Sequence, residues 1–137
     1  MPTRVLIVDD HEVFRDGLKS LLTSRRIEVV GEASDGRQAL RLARKVEPDI
    51  AILDIGLPGL NGYKVAERIR ANPRLANIKL VALTGWGQEE DRRRSADAGF
   101  DHHLVKPVSP DALAGILGSV VPDVGSDARP ASATGPS

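Results

Sequence analysis

Apolar and polar positions along this chain come in blocks. Short runs that are apolar almost throughout, at 4–9 (RVLIVD), 27–33 (IEVVGEA), 49–55 (DIAILDI), 78–84 (IKLVALT) and 102–106 (HHLVK), read as buried strands. The stretches between them have helical periodicity. Over 11–24, Val13, Phe14, Gly17, Leu18, Leu21 and Leu22 share one helical face; over 35–46, Ala39, Leu40, Ala43 and Val46 turn inward. Pro58, Gly59, Asn61 and Gly62 mark a loop, and the helix predicted over 63–72 is stopped by Pro73. A helix over 88–99 carries acidic residues in its first turn, where the helix dipole favours them. The last, over 109–121, opens with Ser109 as N-cap and Pro110 at the first helical position.

Apolar strands, each followed by a helix, imply an α/β domain: a parallel sheet covered on both faces. Right-handed crossovers gather the strand C-termini on one edge, where such sheets bind ligands. Beyond Pro122 the chain is rich in Pro, Gly, Ser and Ala without an apolar face. Residues 1–121 are therefore expected to form one domain and 122–137 a disordered tail.

The predicted edge collects reactive side chains. The first strand ends in Asp9 and Asp10, the third in Asp54, the fourth in Thr84 and the fifth in Lys106. Like charges at about 4 Å cost roughly 1 kcal/mol in water and about 4 kcal/mol in a partly buried site, so paired aspartates need a compensating cation. Carboxylates in this number suit Mg²⁺, which accepts one or two of them directly and commonly binds together with a phosphate. A carboxylate can also act as a nucleophile and form an aspartyl phosphate. Lys106 and Thr84 would then supply a counter-charge and a hydrogen-bond donor to phosphoryl oxygens.

Composition narrows the partners. Lys plus Arg equal Asp plus Glu at 19 each, which removes the charge argument for nucleic acid or an anionic membrane. No DNA binding or membrane association is expected, and Arg92, Arg93 and Arg94 read as a solvated helix face. The absence of cysteine fits a reducing compartment, and a cytoplasmic location is expected.

The motifs LIVDD, ILDIGLPGLNG, ALTG and HLVKP, in this order and spacing, resemble the receiver domain of two-component response regulators over residues 4–121, in a chemotaxis-regulator-like, stand-alone form suggested by Met1 and the polar tail. The resemblance implies a flavodoxin-like, doubly wound sheet of order 2-1-3-4-5. It implies Asp54 as phosphoacceptor, with Asp10 as direct Mg²⁺ ligand, Asp9 acting through water, and the Gly56 carbonyl completing the protein's share. It assigns Thr84 as switch hydroxyl and Lys106 as phosphate-binding lysine, with a cis Lys106–Pro107 bond. The implied partner is a sensor histidine kinase or a histidine phosphotransfer protein, upstream of a further protein target. The implied state is a monomer or a phosphorylation-dependent dimer. The alternative is an unphosphorylated docking or dimerisation module of the same fold.

Departures from the family pattern bear on switching. His103 stands where the family usually has a switching Tyr or Phe; an unperturbed imidazole changes charge near neutrality, so activation is expected to couple to its protonation. Gly56 follows Asp54 by two residues where a side chain is usual, and Trp86, the single tryptophan, follows Thr84 by two. The first half also resembles regulators that carry a helix-turn-helix, and the segment GFDHHLVKP resembles receivers of hybrid kinases. Gly56 also argues against a haloacid-dehalogenase-type phosphatase, which needs a general-acid Asp at that position. No phosphate-binding glycine loop of nucleotide folds is present. His11 is expected to be solvent-exposed; His102 and His103, adjacent on a strand, point to opposite faces and cannot chelate one metal together. The helix over 88–99, poor in large apolar residues, is expected to dock weakly and to form the partner face with 102–106 and 109–121.

Overall fold

A computed structural model describes residues 3–57, 59–85 and 89–120, with the backbone alone for 89–92, 119 and 120. Strands β1 (Arg4–Val8), β2 (Glu28–Ala33), β3 (Ile50–Asp54), β4 (Lys79–Thr84) and β5 (His102–Val105) alternate with helices α1 (Glu12–Ser24), α2 (Gly36–Val46), α3 (Gly62–Ala71), α4 (Glu89–Ala98) and α5 (Pro110–Val120). The sheet is parallel, in the order β2-β1-β3-β4-β5. Residues 1–107 form one compact unit holding the sheet and α1–α4; residues 108–137 form a second, of which α5 is described. The expected tail at 122–137 and Trp86 lie outside the described residues.

Register explains the continuous apolar runs. Val5 pairs with Ile50 and Ile7 with Ile52, while Ile52 faces Val81, so one sheet face is lined by β-branched residues. The opposite face presents Leu6, Val8, Ala51, Leu53, Leu80 and Ala82 to Ala39, Leu40 and Ala43 of α2 and Val65, Ala66 and Ile69 of α3. Both sets are buried, so the central strands have no polar side to display. The small alanines of α2 let the helix approach the sheet closely, which favours dispersion contact along its length.

Local signals set the helix starts. Asp35 caps α2 by accepting from the Gln38 N–H at 2.9 Å, while the Gln38 side chain accepts from the Ser34 N–H at 3.0 Å. Asn61 caps α3 through the Lys64 N–H. Within the second unit, Ser109 caps α5 through the Ala112 N–H at 3.0 Å, as its sequence predicts.

Two details of the sequence reading change. Val13 and Gly17, assigned to the inner face of the first helix, are exposed, Val13 at 87%, whereas Leu18 and Leu22 are buried. The inward stripe of α1 is therefore narrower and starts later than the apolar pattern suggests. The first strand stops at Val8, so Asp9 lies just past it, although its N–H still bonds the Ala33 carbonyl at 3.0 Å.

Candidate functional site

The C-terminal edge of β1 and β3 brings the aspartates together. Asp9 is fully buried, and its Oδ1 accepts the His11 N–H at 2.8 Å. Asp54, the last residue of β3, is 6% exposed, with Oδ1 accepting the Gly56 N–H at 3.0 Å. Ligand atoms of Asp9, Asp10, Asp54 and His11 all lie within 4.8 Å of one another. The Asp54 backbone is held as firmly as its side chain. The neighbouring Ile55 N–H bonds the Leu83 carbonyl, and Gly62 sits so close that a Cβ there would lie 2.6 Å from the Asp54 carbonyl oxygen. Only glycine leaves room at the start of α3.

Lys106, just past β5, reaches across this edge. Its Nζ is 2.7 Å from Asp9 Oδ2 and 3.4 Å from Asp54 Oδ2, and it lies 4.6 Å from the centroid of the Phe14 ring. The close approach to Asp9 is an ion pair without hydrogen-bond alignment, so Asp9 Oδ2 accepts no hydrogen bond. The Lys106–Pro107 peptide is cis, as the sequence resemblance implies. Burial pushes the Asp54 carboxyl above its ordinary range and the charge of Asp9 adds to this, against the Gly56 N–H and Lys106, which favour the ionised form.

Thr84 ends β4, buried at 5% exposure, and its Oγ1 is 3.0 Å from His103 Nε2. Register explains the contact: Ala82 faces His103 and Thr84 faces Val105, so Thr84 and His103 lie on the same sheet face of adjacent strands. His103 is half-buried, and also lines an open groove of about 320 Å³ with Ser95, Ala96, Phe100, Asp101 and His102. The side chain at this position thus touches both the pocket edge and the surface.

Supporting residues stood out less in the sequence. His11 is 68% exposed, as expected, but its Nδ1 lies 3.1 Å from Asp9 Oδ1 and 3.3 Å from Asp10 Oδ1. Its place directly after two aspartates was the available signal. Arg15 donates to the Asp9 carbonyl at 2.7 Å and pairs with Glu32 at 3.2 Å, tying α1 to the ends of β1 and β2. Arg70 donates to the carbonyls of Gly99 (2.9 Å), Ala76 (2.8 Å) and Ile78 (2.6 Å) and pairs with Asp101 at 2.7 Å. Arg93 and Arg94 are exposed, as predicted, though Arg94 stacks over the Tyr63 ring at 4.3 Å.

The donor set suits a hard divalent cation. Carboxylate oxygens converge from Asp9, Asp10 and Asp54, and one of them, Asp9 Oδ2, is a buried acceptor with no hydrogen bond. Gly56, tethered to Asp54 Oδ1, lies beside them.

Known proteins share much of this sequence and fold. Residues 5–117 match the family model of the response regulator receiver domain. The chain is 35% identical over 115 residues to the response regulator protein VraR of Staphylococcus saprophyticus, covering 83% of this chain and 54% of that protein. It is 34% identical over 113 residues to the nitrate/nitrite response regulator protein NarL of Escherichia coli, covering 82% and 51% respectively. The chain thus spans about half the length of these curated relatives. The structure of the chemotaxis protein CheY4 of Vibrio cholerae superposes with a TM-score of 0.82 at 29% identity, covering 88% of this chain and all of that one.

Proposed function

Because the chain belongs to the response regulator receiver family, whose members serve as phosphoacceptors in two-component signalling, we propose that Asp54 carries the phosphoryl group and that the domain runs over residues 1–121. One observation carries this reading: Lys106 Nζ lies between the carboxylates of Asp9 and Asp54 on the edge where the strands end. A phosphorylated residue here would meet a counter-charge already in place.

The donor is a phosphohistidine of a sensor kinase or phosphotransfer protein, or a small acyl phosphate. An Asp54 carboxylate oxygen attacks phosphorus; the O–P bond forms as the bond to the donor breaks, and the donor leaves with the electron pair. Asp10 and Asp54, the Gly56 carbonyl, and Asp9 through water would hold Mg²⁺. When bound, this ion neutralises charge on the transferring phosphoryl oxygens. The Lys106 ammonium turns from the carboxylates to the new oxygens, and the Thr84 hydroxyl leaves His103 to donate to another. Hydrolysis removes the group: water attacks phosphorus, the P–O bond to Asp54 breaks, the carboxylate leaves with the electron pair and inorganic phosphate is released.

His103 lines the groove between α4 and β5 and touches Thr84, so departure of the Thr84 hydroxyl releases a side chain that shapes this surface. We assign the groove to the downstream protein target. No helix among the described residues is long and apolar enough to cross a membrane. The alternative of an unphosphorylated docking module is disfavoured, because the full set of acidic, hydroxyl and ammonium groups is retained.

The test is intact mass spectrometry after incubation with acetyl phosphate and Mg²⁺. One phosphoryl group is expected on the native chain and none on Asp54→Asn. Full labelling of the variant at another residue would overturn the assignment.

A further inference from the structure

A side chain beside the proposed cation site falls outside an all-oxygen description of it. His11 Nδ1 lies 3.1 Å from Asp9 Oδ1 and 3.3 Å from Asp10 Oδ1, and it belongs to the same cluster of ligand atoms as Asp54. Bonds of about 2.0–2.2 Å to a shared cation place neighbouring ligand atoms about 3 Å apart. The imidazole nitrogen and the oxygen of Asp10, the direct carboxylate ligand assigned above, already stand close to that spacing. The His11 backbone is fixed beside the site, since its N–H donates to Asp9 Oδ1 at 2.8 Å, and the ring nitrogen lies against the same oxygen. Independently of His11, the fully buried Asp9 presents an oxygen, Oδ2, that accepts no hydrogen bond. It faces one ammonium, that of Lys106.

From this we infer that His11 is a nitrogen ligand that gives the site a preference for divalent first-row transition cations over Mg²⁺. The inference rests on the cation site assigned above and adds its selectivity. Imidazole suits divalent iron, cobalt, nickel, copper and zinc far better than Mg²⁺, which holds to oxygen donors and retains its waters. The change needed on binding is small. In the cation-free form, Nδ1 of the neutral ring can donate to Asp9 Oδ1; moving the proton to Nε2 turns the Nδ1 lone pair toward the cation. The ring is 68% exposed, so Nε2 can meet water and its second nitrogen stays solvated. A Mg²⁺ ion can use the oxygens and leave the imidazole aside; a transition cation gains a bond from it.

The test is calorimetric titration of the full chain with Mg²⁺ and, separately, Co²⁺ at about pH 8, above the ordinary imidazole pKa of about 6.5. It compares the native protein with His11→Ala, His11→Gln and His102→Ala. Both His11 variants should weaken Co²⁺ by at least about tenfold, the scale on which even groups behind a metal ligand act, and leave Mg²⁺ within about twofold. His102→Ala should change neither. Zn²⁺ should shift the His11 Nδ1 resonance in nitrogen NMR of the native chain. Equal weakening of both cations by the His11 variants, or unchanged Co²⁺ affinity, overturns the inference, as does a comparable Co²⁺ loss in His102→Ala. Mg²⁺ binding reads the site and the Co²⁺ ratio reads His11. Mg²⁺ that binds without a His11-dependent preference therefore overturns this inference alone, and a native chain that binds neither ion overturns both readings.

Discussion

Thr84 Oγ1 and His103 Nε2 stand 3.0 Å apart on neighbouring strands, so the hydroxyl that a phosphoryl group would recruit is already engaged. Recruitment means exchanging one hydrogen bond for another. A typical neutral hydrogen bond contributes about 1 kcal/mol net, so its removal should matter by roughly a factor of five. His103→Phe, which keeps an aromatic ring and removes the hydrogen-bonding nitrogen, should accelerate labelling by acetyl phosphate by about that factor. The check is the time course of intact mass; an unchanged rate would show that the Thr84–His103 bond does not restrain the hydroxyl.

Asp54 should make the protein more stable when its charge is removed. Its folded-state pKa is raised by burial, with the charge of Asp9 adding to the shift. The folded chain therefore binds more protons than the unfolded one above the ordinary value of 3.8. Stability then falls as pH rises from that value through the raised pKa and is flat beyond it. Asp54→Asn should remove this fall and raise the melting temperature at neutral pH without Mg²⁺ by several degrees, equivalent to about 1 kcal/mol. Thermal melts of both proteins across acidic and neutral pH read it directly.

Glu32 has the opposite sign. Burial favours its neutral form, but the hydrogen bonds and charges of Lys19 and Arg15 outweigh this and lower its pKa. Its contribution to stability is present above the ordinary 4.5 and is lost as pH falls through the lowered value. Arg15→Met should flatten this acid dependence. It should also reduce Mg²⁺ affinity, because the Arg15 guanidinium holds the Asp9 carbonyl. Thermal melts at two acidic pH values and at neutrality test the first part, and calorimetric titration with Mg²⁺ at neutrality tests the second.

Arg70 fixes the turn between α4 and β5 to the end of α3 and the start of β4. Its removal orphans the carbonyls of Gly99, Ala76 and Ile78 and releases Asp101, which also accepts the Leu80 N–H at 2.9 Å. Arg70→Met should cost roughly 2–3 kcal/mol. Hydrogen exchange should localise the loss to the turn around Gly99 and to β5. Chemical denaturation gives the magnitude, and uniform acceleration across the sheet would mean that Arg70 acts on the whole fold.

The order of the strands and the converging aspartates were legible because they follow from rules with long reach. Apolar runs such as IAILD have no polar face, so they must lie in a covered parallel sheet, and right-handed crossovers then place Asp9, Asp54, Thr84 and Lys106 on one edge. What escaped the pattern were contacts set by side-chain direction. Arg70 and Asp101 are 31 residues apart, and nothing local in either segment announces the other. Phe14 read as a core residue, yet its ring lies against the Lys106 ammonium. Val13 read as core because it is apolar at a permitted helical position, and it faces water.

Consider, finally, the close fit of Gly62 beneath Asp54. The backbone of this proposed acceptor is one jaw of a vise, bolted to α3 by the absence of a Cβ and to β4 by the Ile55–Leu83 hydrogen bond. A bulky, doubly charged group clamped onto this residue cannot push that jaw back. Any displacement would then pass away from Gly62, toward the Thr84 hydroxyl and its partner His103. Mechanical asymmetry of this kind would turn a chemical event with no inherent direction into a movement that always leaves the pocket by the same side.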